Sequence, residues 1–250
     1  MPVILEGGCR VGQLREGVPE ERGALRVFRH VDRSTGATAI SLRVLDLAAG
    51  RSHALKNGAC DEVLYVLEGR GAVRLDGVPR EVTPDTGVYL RPGATLEIEN
   101  RGGSSLVLVS SRCPDPGADE GEGPPAPPPA PSGPSPIVAL ADRQSETTAD
   151  RWYRVLLDDS VGSKEVTQFV GGIPPGRAPD HFHEYEEVLC ILSGEGRMWA
   201  GRSHTPIGPG SCVFLPRRQV HCVENTGAGE LRLLGVFYPA GSPAVRYEAD

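Results

Sequence analysis

The chain has 250 residues, 39% hydrophobic and 24% charged, with a formal net charge of −7. That make-up belongs to a soluble globular protein with room for one large domain or two modest ones. The acidic balance, with no basic cluster larger than Arg217–Arg218, argues against a nucleic-acid partner, and no run approaches the roughly 20 apolar residues that span a bilayer.

The N-terminal MPVILEGGCRVGQ lacks a charged stretch followed by a long apolar run. No signal peptide is expected, and a cytoplasmic location follows. The first half then reads as short runs rich in Val, Leu and Ile: ATAISLRVLDL, EVLYVLEG, GAVRLDG, GVYLRPG, TLEIEN and SLVLVSS, separated by Gly, Pro, Asp or Asn. From about Cys113 to Pro136 the sequence CPDPGADEGEGPPAPPPAPSGPSP has almost no large apolar residue. It cannot join a core, and its PPAPPPAP segment favours an extended polyproline II spacer. The second half repeats the earlier style with WYRVLL, EVTQFVGGI, EVLCILSG, GRMWAG, SCVFLP, QVHCVEN and LRLLGVFYP. Short, evenly spaced strands without a long amphipathic helix predict an all-β sandwich or barrel. The six cysteines are scattered without a C-x-x-C pair and read as small buried thiols.

The halves resemble each other. DEVLYVLEGRGAVRLDG (61–77) aligns with EEVLCILSGEGRMWAGR (186–202), and GVYLRPGATLEIENRG (87–102) with SCVFLPRRQVHCVENTG (211–227). Glu62 precedes Pro92 by 30 residues and Glu187 precedes Pro216 by 29, so the chain reads as an internal repeat with one barrel per copy. The expected division is a first barrel over 1–112, a linker over 113–137 and a second barrel over 138–250.

The second copy carries a distinctive set of polar residues. In HFHEYEEVLC, His181 and His183 are two apart, so on an extended strand both imidazoles share a face and Phe182 points away. Glu187 opens the next strand. After Gly210 and Pro216, a returning strand would bring His221 alongside. Three imidazole nitrogens and one carboxylate oxygen suit a divalent first-row metal (Fe, Mn, Co, Ni, Cu or Zn). They leave coordination positions for water or substrate, whereas a closed structural zinc site more often uses thiolates.

The spacing H-x-H-x3-E-x6-G followed by G-x5-P-x4-H-x3-N resembles the two motifs of the cupin superfamily. Two positions depart from the pattern: Gly176 stands one residue closer to the first histidine than usual, and Arg218 replaces a customary glycine. The resemblance implies two tandem jelly-roll barrels, a homodimer, and one divalent metal, Fe or Mn before Ni, Co, Cu or Zn, held by His181, His183, Glu187 and His221. In the first copy the aligned positions are Lys56, Gly58 and Glu97 or Leu96, so only Glu62 survives and that barrel is expected to be structural. For the second barrel the resemblance suggests a metal-dependent oxygenase of the dioxygenase type acting on a small organic substrate. A non-redox enzyme (isomerase, decarboxylase, lyase or amidohydrolase) is the alternative, and a non-catalytic ligand-binding or structural protein a third reading. Arg197, in the hairpin strand GRMW, is a weak catalytic candidate for meeting a substrate carboxylate.

Overall fold

The computed structural model describes residues 1–114, 134–245 and 247–248; most of the proline-rich segment, with its expected polyproline II spacer, lies outside them. Strands dominate, and the helical content of the described residues consists of 3-10 turns of three residues each. None of these helices is long and apolar enough to cross a membrane.

Each half folds as two antiparallel sheets facing one another. In the first half, a larger sheet runs through Thr86–Leu90, Asp61–Glu68, Leu106–Cys113, Leu42–Leu47 and Leu25–Val31, and a smaller one contains Gly71–Leu75 and Thr95–Asn100. The second half repeats this order with Ser211–Leu215, Glu186–Ser193, Leu231–Tyr238, Thr167–Ile173 and Arg151–Leu157, and with Gly196–Ala200 and His221–Asn225 in its smaller sheet. The alternation of each strand sorts its side chains between two faces. In Asp61–Glu68, Leu64 and Val66 join the core of the first barrel with Leu45, Leu96 and Ile98. Val63 and Tyr65, at the odd positions, join a different cluster with Val188, Cys190 and Val236. Both faces of the large sheets are therefore buried, one inside its own barrel and one against the other barrel, which explains why their strands read as nearly continuous apolar runs.

Polar contacts also lock this seam. The buried carboxylate of Glu186 accepts hydrogen bonds from the backbone N–H groups of Thr38 (2.7 Å), Ala39 (2.8 Å) and Ile40 (3.1 Å) and from the Thr38 hydroxyl. Strand membership also departs from a division at residues 112 and 138. Arg10–Gln13 pairs with Ser211–Leu215 of the second barrel, and Val3–Ile4 pairs in turn with Arg10–Gln13. Ile137–Ala139 pairs with Thr86–Leu90 of the first barrel. Each segment covers what would otherwise be an open sheet edge, so the two ends of the expected division are exchanged between barrels.

Candidate metal centre

The strand His181–Phe182 lies beside His221–Asn225, with His181 directly opposite His221. Their ring centroids are 4.5 Å apart, and His183 stands 5.0 Å from His181 and 5.4 Å from His221. One nitrogen from each of the three rings falls within 4.8 Å of the others, a grouping that could hold a metal ion. Glu187, paired in register with Leu215 and Phe237, aims its carboxylate at the same point. Its Oε2 lies 3.8 Å from His183 Nε2 and 3.9 Å from His221 Nε2. The four residues expected from the motif thus converge, and Phe182 takes the opposite face, stacked on Tyr247 at 5.4 Å.

The surroundings of each ring fix which nitrogen faces the centre. His181 Nδ1 lies 3.1 Å from the carbonyl oxygen of Pro179, His221 Nδ1 2.7 Å from that of Gln219, and His183 Nδ1 3.0 Å from that of Val245. A carbonyl oxygen only accepts, so each Nδ1 carries the proton and each Nε2 keeps a lone pair for a ligand. Burial, and next the charge of His181, push the His221 imidazole down to about 3, which keeps it neutral and able to ligate at neutral pH. Burial likewise pushes the Glu187 carboxyl up to about 8. On its far side the wall is aromatic: Tyr185 stacks on His183 (4.7 Å) and on Phe237 (4.4 Å), and Phe169 packs 6.0 Å from Phe237. Three imidazoles presenting Nε2 acceptors and one carboxyl group, which gives up its proton on ligation, make a donor set that fits a divalent ion.

The four residues open onto a cavity of about 110 Å³, walled also by Thr148, Arg151, Trp152, Tyr153, Phe169 and the C-terminal pair Pro243–Ala244. Arg151 is absent from the motif reading. It opens the strand Arg151–Leu157 in phase with buried Tyr153, and that alternation was the sequence signal for it. Arg197 requires a correction. It alternates with buried Met198 and Ala200, so it lies on the outer face, where it reaches Glu224 Oε2 at 3.4 Å and does not line the cavity. Trp199 shares that outer face, donating to Glu224 (2.8 Å) beneath the guanidinium of Arg177. Arg218 adopts φ 59°, the left-handed conformation that explains why a glycine is usual there, and its guanidinium pairs with Glu184 at 2.9 Å.

In the first barrel the register moves the equivalent positions by one residue. Leu55 lies opposite Leu96 as His181 lies opposite His221. The counterparts of the histidines are therefore Leu55 and Asn57 rather than Lys56 and Gly58, and Leu96, the second of the two positions expected for His221. Asn57 is tied to the carbonyl oxygens of Cys60 and Leu90, and His53 is exposed while Glu62 is buried.

Comparison with known proteins agrees with this architecture. A cupin-domain family model matches residues 169–237. Auxin-binding protein 1 of Arabidopsis thaliana is 32% identical over 86 residues, covering 30% of this chain and 43% of that protein. The oxalate-binding protein of Thermotoga maritima is 37% identical over 67 residues, covering 26% and 55% respectively. The matched stretches thus span about half the length of these relatives. Among solved structures, a mutant of Bacillus subtilis oxalate decarboxylase superposes with a TM-score of 0.74 at 14% identity, covering 95% of this chain and 78% of that one. A putative glyoxylate-induced protein from Pseudomonas aeruginosa gives 0.72 at 19% identity, covering 94% and 90%. At those identities the likeness is one of fold, and it extends across both barrels. Residues 169–237 thus match the cupin domain, and the chain as a whole has the two-barrel fold of the oxalate decarboxylase structure.

Proposed function

We propose that His181, His183, Glu187 and His221 hold one divalent metal ion, and that the second barrel uses it in non-redox chemistry on a small carboxylate, as a decarboxylase or related lyase. The observation that carries this reading is the buried convergence of three correctly protonated imidazoles and one carboxylate on a small cavity. A bound ion would act there as a Lewis acid toward a carboxylate oxygen. Manganese is the favoured ion, because Mn(II) centres are described for the Bacillus subtilis decarboxylase that shares this fold.

The chain's own residues would do the rest. A cavity of about 110 Å³ is small beside the several hundred Å³ of sites for drug-sized ligands, so it suits an organic acid of a few heavy atoms. Arg151 is part of the wall; its Nε lies 3.5 Å from Asp150 Oδ1, and a guanidinium is the group best shaped to grip a carboxylate through two parallel hydrogen bonds. Phe169, Leu189, Val223 and Leu233 give the wall an apolar part. The oxygenase reading draws no specific support from the proteins named above, which are a decarboxylase, two binding proteins and a putative glyoxylate-induced protein.

A second reading has its own observation. Among the described residues lining the cavity, Glu187 is the one carboxylate, which leaves the wall without a separate carboxylic acid for proton transfer. Two relatives are binding proteins, so carboxylate capture without turnover is the competing function. The test is to load the protein with Mn(II), titrate small mono- and dicarboxylates calorimetrically, and follow the same mixtures by NMR with and without oxygen. Product formation unaffected by removing oxygen supports the lyase, saturable binding without product supports the binding protein, and oxygen consumption would return the oxygenase.

A further inference from the structure

We propose that the C-terminal segment Gly241–Val245, together with Tyr247, is a strap whose docking holds His183 in its ligating form and closes the cavity. This rests on the metal centre proposed above. Four separate contacts define the strap. At its base, the Thr167 hydroxyl accepts from the Gly241 N–H and donates to the Gly241 carbonyl, both at 3.1 Å. Pro243 and Ala244 then form part of the cavity wall. The Val245 carbonyl accepts the Nδ1–H of His183 at 3.0 Å. Finally, Tyr247–Glu248 adds a short strand to His181–Phe182, with Tyr247 stacked on Phe182 at an interplanar angle of 20°.

The three histidines differ in where their carbonyl partner comes from. His181 and His221 each use the residue two positions earlier, Pro179 and Gln219, so their tautomers are set by the chain leading into their own strands. His183 depends on a residue 62 positions away. Undocking the strap therefore takes the Val245 carbonyl away from His183 Nδ1 and, in the same motion, removes one wall of the cavity. The strap is lightly held, since the Val245 and Tyr247 side chains are 49% and 47% exposed, and local opening concentrates in segments with few buried contacts. Coupling of this kind is reciprocal: if docking tightens metal binding, metal tightens docking by the same factor.

The experiment compares the wild-type protein with Tyr247→Ala and with Thr167→Val, neither of which alters a proposed ligand. Mn(II) binding is titrated by EPR, and hydrogen exchange is followed over residues 241–245. Loss of an outer hydrogen-bond partner weakens metal sites by roughly 10- to 100-fold, so Mn(II) affinity should fall about tenfold in both variants. In the wild-type protein, exchange over the strap should slow on loading by a similar factor, and His53→Ala, an exposed change in the first barrel, should alter neither. A variant whose strap exchanges freely yet binds Mn(II) with the wild-type constant overturns the strap while leaving the metal centre standing. A wild-type protein that takes up no Mn(II) overturns the metal centre and the strap's role together. Tyr247 lies on the surface, so its variant carries the test even if Thr167→Val folds poorly.

Discussion

Glu62 and Glu187 occupy the same place in the two barrels, each at the second position of the strand shared by both neighbours in the large sheet, and each is almost fully buried. Their surroundings are opposite. Arg43 reaches Glu62 with Nη2 at 2.6 Å, the Ser110 hydroxyl donates to it at 2.6 Å, and Arg112 Nε lies 3.9 Å away. In the second barrel the register puts Phe169, Gly235 and Phe237 at those three positions. The histidines of the second barrel are matched in the first by Leu55, Asn57 and Leu96. A buried carboxylate needs a counter-charge. The first barrel builds its own from arginine, whereas among the described residues no arginine or lysine pairs with Glu187 in the second. The carboxyl groups reflect this. Burial alone would raise Glu62, but Arg43, Arg112 and Ser110 hold it below its ordinary value, whereas burial lifts Glu187 to about 8.

The largest test of this contrast is metal content. His221→Ala should abolish stoichiometric uptake, a loss beyond the roughly 10- to 100-fold that outer partners control, while Glu62→Gln should leave uptake unchanged. Metal analysis after dialysis distinguishes the two, and metal lost on changing Glu62 would mean the first barrel has a site after all. Next comes Arg43→Met, which leaves the buried Glu62 carboxylate with Arg112 and Ser110 but without its nearest cation. Breaking a buried pair from one side costs about 3–5 kcal/mol, read as a lowered urea midpoint, and adding Glu62→Leu should recover most of it. Equal losses that simply add would show that the pair is not coupled.

Much of this was legible in the sequence. The repeat, the all-β class and the four converging residues follow from strand alternation and from motif spacing, because a fixed period of two dictates which side chains share a face. The exchange of edge strands was not legible, since Arg10–Gln13 and Ile137–Ala139 carry no mark of which sheet they will complete. The role of Arg43 was hidden for a related reason: it stands inside an apolar run, and only the cross-strand register shows that it replaces Phe169 beside the shared glutamate. Arg197 misled because a hairpin strand has two faces, and buried Met198 and Ala200 decide which one points outward.

A smaller effect with a reversed sign follows from the same pair of glutamates. In metal-free protein, Glu187→Gln removes a carboxylate that burial disfavours and should stabilise the fold by roughly 1–3 kcal/mol, the scale of an unsatisfied buried polar group. Glu62→Gln should destabilise it, because the two buried cations Arg43 and Arg112 then lose the negative charge beside them. With Mn(II) in excess the first result should invert, since a ligand that binds only the folded state stabilises it by mass action. Thermal unfolding with and without metal reads both, and a Glu187→Gln chain that is less stable than wild type even without metal would contradict the proposed surroundings.

The finest discrimination lies in how those two differences vary with pH. The Glu62 carboxyl is lower in the folded chain than its ordinary 4.5, so between the two values the unfolded chain binds more protons. Stability from this group is fully present above about pH 4.5 and is lost as pH falls through the folded value. The Glu187 carboxyl is raised to about 8, so between 4.5 and 8 the folded, metal-free chain binds more protons and stability falls as pH rises. The gap between wild type and Glu62→Gln should therefore shrink on acidification below pH 4.5. The advantage of Glu187→Gln should grow from pH 5 toward pH 8 and vanish once metal is added. Urea unfolding of the three metal-free proteins across pH 4 to 8 measures both slopes, and two slopes of the same sign would show that the arginines of one barrel and the aromatic wall of the other do not divide the two glutamates as their geometry indicates.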